Sequence, residues 1–460
     1  MAAQVLGRRL LGEVEEARLD EVFNSVRLFT HPEPSEARFG IPPLDRLLRL
    51  FEQSHSRYHD PGSPPLDQAQ RHRPTPTPPL IELTSAGPGA GKTQLLYLIT
   101  ALAILPRAYA SIDLQGKASA IVVVDTDGHF SVSRLATVAK GHIARCCRRH
   151  AQQQQQQRRH HDGIEPDNND DGDDDNRHPL IKPAAVDSII AAALTHVHIL
   201  QPQSQAALLD ALRALPTYLF SRSTTSTTTY HHSSAHRPLH SILLDSASAF
   251  FWPLRAAEDD ARLANATTTT TTTTTTTPTP PPTTASSYTA LARTLLTLRT
   301  QLNCAIVATT VASSSSAPPH SRHHVDPSSY SSNLKPLLPA TWPATFAPSL
   351  RLGVGRAAVR GFAPAMSVAE ARRERGLRQG VVERGRCGVW VEGSSATADQ
   401  LVRGYVCSGP IMGAEGWVVD VRGDGVVVVV GEEEEGGGGG SGGEGGEGER
   451  EAEAEAEGEI

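Results

Sequence analysis

Five short apolar runs, Leu80 to Leu83, Ala120 to Val124, Val197 to Leu200, Ser241 to Leu244 and Cys304 to Ala308, are separated by stretches with helical spacing. No other feature narrows the fold as much. A strand with one face in water alternates apolar and polar residues, and these runs do not, so both of their faces must be covered. Strands covered on both faces and joined by helices belong to a mostly parallel sheet, because a parallel pair needs a long crossover. The helical stretches agree: Gln94 to Leu105 is apolar nearly all round, and Ser204 to Leu215 sets Leu208, Leu209, Leu212 and Leu215 on one face. Beyond residue 340, β-type runs at Phe346 to Leu352, Gly388 to Val391 and Trp417 to Val430 flank a charged helical stretch near 368 to 378 and are expected to extend the sheet. The fold class is α/β, with its ligand edge at the strand C-termini.

A chain of 460 residues suggests about three domains at roughly 150 residues each. Several tracts cannot enter a core, however: a Gln and Asp run (151–179), a Ser, Thr and His run (221–237), a Thr and Pro run (264–287), a Ser-rich run (312–332) and a Gly/Glu tail. They are too polar or repetitive to offset the entropy of ordering them, which marks them as disordered insertions and a disordered tail. The expected organisation is an N-terminal helical segment and linker (1–79), one α/β core (80–430) and an acidic tail (431–460). Within the first segment, Leu6 to Phe29 reads as an amphipathic helix, and the turn at Phe39-Gly40-Ile41-Pro42-Pro43 leads into a second apolar helical face.

Charge first argues against nucleic acid, since 43 Lys and Arg face 50 Asp and Glu for a net −7. The balance is uneven. Residues 431–460 hold 12 Glu and one Arg, and residues 162–175 hold eight acidic residues and no base. Setting aside those contributions of −11 and −8 leaves +12 over the rest of the chain, which permits attraction to a polyanion. No apolar run approaches the ~18 to 20 residues of a membrane span, and the first 30 residues lack the apolar stretch of a signal peptide, so no membrane association is expected. Five cysteines (Cys146, Cys147, Cys304, Cys387, Cys407) form no CxxC pair and read as reduced thiols of cytosol or nucleus.

Residues 86–93 read Ala-Gly-Pro-Gly-Ala-Gly-Lys-Thr, between a strand and a helix. This is the phosphate-loop pattern G-x-x-x-x-G-K-[ST] with Ala86 at its first glycine. Glycines are needed because backbone N–H groups close around phosphate oxygens at a helix N-terminus. Lys92 supplies a charge to the β- and γ-phosphates and the Thr93 hydroxyl ligates Mg²⁺. If Ala86 needs φ > 0, its methyl costs on the order of 1 kcal/mol. Downstream, Ser241-Ile242-Leu243-Leu244-Asp245-Ser246 is an apolar strand ending in an acid, the place where phosphate-loop proteins hold Mg²⁺. Val122-Val123-Val124-Asp125-Thr126-Asp127-Gly128-His129-Phe130 is another, whose carboxylates serve either to polarise a water or to cap a turn.

These residues, with Gln94-Leu95-Leu96-Tyr97-Leu98, Arg134-Leu135, Leu244-Asp245-Ser246-Ala247-Ser248-Ala249-Phe250-Phe251-Trp252 and Ala308-Thr309-Thr310, resemble the RecA-type recombinases. The resemblance spans about 80 to 310. It is nearest to the eukaryotic recombinase paralogues of homologous recombination, in the branch of X-ray repair cross-complementing protein two. It implies a RecA-like ATPase core that binds ATP and Mg²⁺ in the nucleus, in a complex with other recombinase paralogues, especially the D-type paralogue, reaching DNA through that complex. It places nucleotide contacts on Gly87, Pro88, Gly89, Ala90, Gly91, Lys92 and Thr93, metal support on Thr93 and Asp245, and the catalytic carboxylate on Asp127. Active recombinases carry Glu at the place of Asp127 and a γ-phosphate-sensing Gln where Val311 stands here. A shorter acid misplaces its water and valine has no hydrogen-bonding side chain, so the resemblance implies binding with weak or absent hydrolysis. The family's two DNA loops would fall near 253–287 and 311–338, where only Arg255, Arg262, Arg322 and Lys335 are basic. A competing expectation is an adaptor that keeps the fold for assembly and makes no use of nucleotide.

Overall fold

A computed structural model describes residues 38–57, 77–162, 181–220, 234, 237–268, 283–314, 334–356, 366–383, 385–392 and 416–429. The expected helix at Leu6 to Phe29 and the tail at 431–460 lie outside these residues. In chain order the elements begin α1 (Pro42–Arg57), β1 (Leu80–Ser85), α2 (Lys92–Ile104), β2 (Ala108–Tyr109), β3 (Ile112–Asp113), β4 (Ala120–Asp125) and α3 (Val132–Asp162). There follow α4 (Pro183–Leu194), β5 (Val197–Leu200), α5 (Gln205–Phe220), β6 (Leu239–Asp245), α6 (Phe251–Thr268), α7 (Thr284–Gln301) and β7 (Ala305–Ser314). The last are β8 (Leu334–Pro336), α8 (Thr341–Phe346), β9 (Leu350–Arg356), α9 (Val368–Glu383), β10 (Cys387–Val391), β11 (Gly416–Arg422) and β12 (Gly425–Val429).

The sheet order is β12-β11-β10-β9-β1-β7-β6-β4-β5, with β8 paired to the far end of β7. From β9 to β5 all neighbours are parallel. Beyond β9, β10 to β12 continue antiparallel. The sheet is buried on both faces, and successive residues of one strand serve opposite layers. Ile121, Val123, Leu243 and Val307 pack with α1, α2, α3 and α4. Val122, Val124, Ile242, Leu244 and Ile306 pack with α5, α7 and α8. Two covered faces are the reason the runs do not alternate.

Several boundaries differ from the sequence reading, each for an identifiable cause. Glu82 interrupts the first apolar run yet is 1 % exposed, because Arg351 Nη2 lies 2.8 Å from one carboxylate oxygen and Thr310 Oγ1 donates to the other at 2.9 Å. The Gln run is not excluded from regular structure: α3 crosses it to Asp162, since glutamine is a good helix former and the packed first turns supply the costly nucleus. In the same way α6 and α7 extend into the Thr and Pro tract from either end, and β7 reaches Ser314. The run that starts at Trp417 is a hairpin as far as Val429, turned at Gly423 and Asp424 between β11 and β12. Part of the segment placed before the core, 38–48, packs into it. Phe39, Ile41, Leu44, Leu47 and Leu48 are buried in the core against α2, and Gly40, at φ +71°, makes the turn that lets them in.

Two histidines, the buried His142 and the half-buried His240, fix these connections in their neutral form. His240 Nε2 bonds the Arg38 carbonyl at 3.0 Å with its ring edge-on to Phe39, and His142 Nε2 bonds the Leu114 carbonyl at 2.9 Å. Burial pushes both from 6.5 down to about 4. A histidine that is neutral when folded and ionises near 6.5 when unfolded stabilises fully above pH 6.5, and that contribution is lost as pH falls toward 4. The slope is about 1.4 kcal/mol per pH unit for each group. Thermal unfolding midpoints should be flat from pH 8 to 7 and fall steeply between pH 6 and 4.5. His240→Gln should reduce that slope, and an unchanged slope would show that His240 ionises in the folded protein.

Candidate functional site

β1 ends at Ser85 and α2 begins at Lys92, so the loop 86–91 leaves the C-terminal edge of the sheet between β7 and β9. Two of its glycines are required by geometry. Gly89 has φ +70° and Gly91 φ +106°, and a Cβ on Gly91 would lie 2.7 Å from Cys387 Sγ. Gly87 differs, with no atom within 4 Å of its Cβ position, so it faces open space. Ala86 is not among the residues with positive φ, so its methyl carries no backbone strain and the expected cost at this departure is absent. Gly91 caps α2 in the left-handed region without a side-chain bond, which leaves the first-turn N–H groups free of any competing side-chain acceptor.

The Lys92 ammonium is buried and donates to Ser85 Oγ, which in turn donates to the Gly87 carbonyl at 2.7 Å. Burial lowers the Lys92 pKa, while the negative charges of Asp245 and Asp127 oppose that shift. Asp245, at the end of β6, accepts from Thr93 Oγ1 at 2.7 Å and from Thr309 Oγ1 at 2.5 Å. The structure thus brings Lys92, Thr93, Asp127 and Asp245 into one electrostatic group. The loop and the strings at Asp127 and Asp245 meet here because β1, β7, β6 and β4 lie side by side in that order.

The two carboxylates after β4 have separate roles. Asp125 accepts from the His129 and Phe130 amides at 3.1 Å each and from Gln201 Nε2 at 3.0 Å, so it caps the turn 126–130 and is committed to structure. Asp127 is exposed at the rim. Partial burial raises its pKa first, and the nearby Asp245 adds to the rise. That direction makes Asp127 a better proton acceptor than an unperturbed aspartate, although the exposed face keeps the shift well screened.

Val311 pairs with Ser85 across β1 and β7, directly beside the loop, and offers only its backbone: its amide donates to Ser248 Oγ at 3.2 Å. Ser248 in turn contacts Ser246 Oγ at 3.1 Å. Ser85 and Arg356 were not singled out by sequence reasoning, and Ser246, Ser248 and Thr309 stood in the strings of the resemblance without an assigned role. Ser85 adjoins the loop and was open to discovery; Arg356 and Thr309 reach the site only through strand order.

The expected DNA-loop bases do not form a free cationic surface among the described residues. Arg255 lies 3.8 Å from Glu258 and 3.6 Å from Asp259, and Arg262 pairs with the same two acids at 2.5 and 3.2 Å. Glu258 also receives the Thr284 amide and hydroxyl at the start of α7, which makes this cluster a brace between α6 and α7. Arg322 and the Lys335 side chain lie outside the described residues. Trp252, 63 % exposed, opens α6 edge-on to Phe251.

No group of three or more His, Cys, Asp or Glu side chains suited to a metal ion occurs among the described residues. A divalent cation here would have one hydroxyl and one carboxylate, Thr93 and Asp245, and would take its other oxygens from phosphate and water, as Mg²⁺ does. The open space at Gly87, the uncapped α2 and the buried Lys92 fit a bound polyphosphate. No helix among the described residues is long and apolar enough to cross a membrane. The chain matches no family model and no curated protein.

Proposed function

We propose that this chain is a RecA-like, ATP-binding factor of homologous recombination that assists repair of DNA double-strand breaks within a nuclear complex of recombinase paralogues, the D-type paralogue first among them. The observation that carries the nucleotide part is the convergence of a buried Lys92, a glycine loop forced into left-handed turns, and a Thr93–Asp245 pair at one edge of a parallel sheet. Gly87 to Thr93 would cradle the phosphates of ATP, Lys92 would neutralise their charge, and Thr93 with Asp245 would hold Mg²⁺. The metal-bound triphosphate supplies strong electrostatic ordering of the loop when present. Asp127 is the residue available to orient a water, and Val311 offers no side chain to sense the terminal phosphate, so the site is suited to binding with little turnover. The repair role and the paralogue partners rest on the family resemblance of the motifs.

The Val311 position also favours a second reading, an adaptor whose assembly is independent of nucleotide. Titration of the full chain with a fluorescent ATP analogue and Mg²⁺ separates the two. Micromolar binding that weakens on removal of Mg²⁺ is the expected result, and absence of binding up to millimolar analogue leaves the adaptor. Co-purification of the tagged chain with identification of its partners tests the paralogue complex directly.

A further inference from the structure

We propose that Arg356 is a specificity residue of this site, a second cation that reads the terminal phosphate of a nucleoside triphosphate and so distinguishes it from a diphosphate. The inference rests on the nucleotide-binding reading above. Arg356 is the last residue of β9, the strand on the opposite side of β1 from β7, and is carried to the loop by parallel pairing. Its Nε donates to the Gly89 carbonyl at 2.6 Å, and its Nη2 lies 3.2 Å from where a Cβ on Gly89 would stand. A side chain at Gly89 would therefore crowd the guanidinium as well as strain the backbone.

Arg356 differs from the other arginines near this edge in being uncommitted. Arg351 is paired with Glu82, Arg255 and Arg262 with Glu258 and Asp259, and Arg134 is spent on the carbonyls of Arg422 and Gly423. No carboxylate of the described residues pairs with Arg356. Its side chain is exposed, and one of its five N–H donors is used on Gly89. The remaining fork has the planar geometry that suits phosphate oxygens, whereas Lys92 acts as a point charge from inside the loop.

The strand end that presents it is held firmly. The indole of Trp390 lies against Gly353 and Gly355, leaving 2.2 Å and 3.0 Å to their Cβ positions, and Trp390 Nε1 is anchored on Glu392 at 2.8 Å. Cys387, directly opposite Arg356 in the β9–β10 pair, fills the space under Gly91. A cation on a fixed strand can discriminate by distance, which a mobile surface arginine cannot.

The test measures affinities of the full chain for a non-hydrolysable ATP analogue and for ADP, each with Mg²⁺, in the wild type and in the Arg356→Ala, Arg356→Lys, Arg356→Gln and Lys92→Ala variants. Arg356→Ala should reduce the triphosphate-over-diphosphate preference about tenfold, with ADP affinity and melting temperature unchanged. Arg356→Lys should restore part of the preference. Arg356→Gln, which keeps a donor for the Gly89 carbonyl, should lose the preference as the alanine does. Equal weakening of both nucleotides would mean that Arg356 only braces the loop, and would overturn the inference while leaving nucleotide binding intact. If the wild type binds neither nucleotide, both the inference and the reading beneath it fail.

Discussion

Lys92→Ala is expected to weaken binding of the ATP analogue about 100-fold while leaving the melting temperature unchanged or raised. The two effects have opposite signs for one reason. Lys92 is 8 % exposed, and burial dominates the lowering of its pKa, so the folded protein holds a cation at a cost that its hydrogen bond to Ser85 and the charges of Asp245 and Asp127 only partly offset. Removing the charge removes that cost. Ser85 keeps the Gly87 carbonyl as a partner, so no buried donor is orphaned. Binding loses a charge-assisted contact to phosphate, worth about 1.5 to 3 kcal/mol, the upper part of which corresponds to ~100-fold. Residues that destabilise the free protein and are retained for a ligand follow this pattern. Unchanged analogue affinity would remove the loop as the nucleotide site. A melting temperature many degrees lower would instead make Lys92 part of the structural core.

Gly141→Ala is expected to destabilise the protein by about 2 kcal/mol or more, although helix propensity alone predicts the reverse. In an isolated helix the change would stabilise by about 1 kcal/mol. Here a Cβ on Gly141 would lie 2.1 Å from the Asp424 carbonyl oxygen and 3.4 Å from Gly425 Cα, because the β11–β12 turn crosses α3 at this glycine. The turn cannot easily retreat. Arg134 donates to the Arg422 and Gly423 carbonyls at 2.7 and 2.8 Å, and Arg145 donates to Val426 at 2.9 Å. Arg134 is itself braced by Gln94 at 3.2 Å, so displacing the hairpin disturbs the helix that begins at the loop. Chemical denaturation should show a lower midpoint, and a stabilised Gly141→Ala would show that the hairpin does not sit on α3.

The sheet strands were legible because burial on both faces writes itself into sequence as short apolar runs, and α2 was legible because it is buried all round. Glu82 was not, since its partner Arg351 is 269 residues away and becomes adjacent only when β9 pairs with β1. The site was half legible. Lys92, Thr93 and Asp245 announced themselves through motif and position. The division between Asp125, which caps the turn, and Asp127, which does not, could not be read, because it depends on which amides the following turn presents. The role of Gln94 and Arg134 was likewise hidden: the motif that carries the resemblance does its observable work in holding a hairpin.

What the sequence determined by itself was local: strand and helix identity, the glycines and lysine of the loop, the polar tracts and the uneven charge. These depend on residue type and spacing within one element. What only the tertiary structure decided was adjacency: Val311 beside Ser85, Thr309 on Asp245, Arg351 on Glu82 and Arg356 over Gly89. The strand order decides most of these, because it inserts β7 and β6 between β1 and β4 and places β9 on the far side of β1. No spacing along the chain encodes that order, so the cations available for a ligand could be counted from the sequence but not told apart.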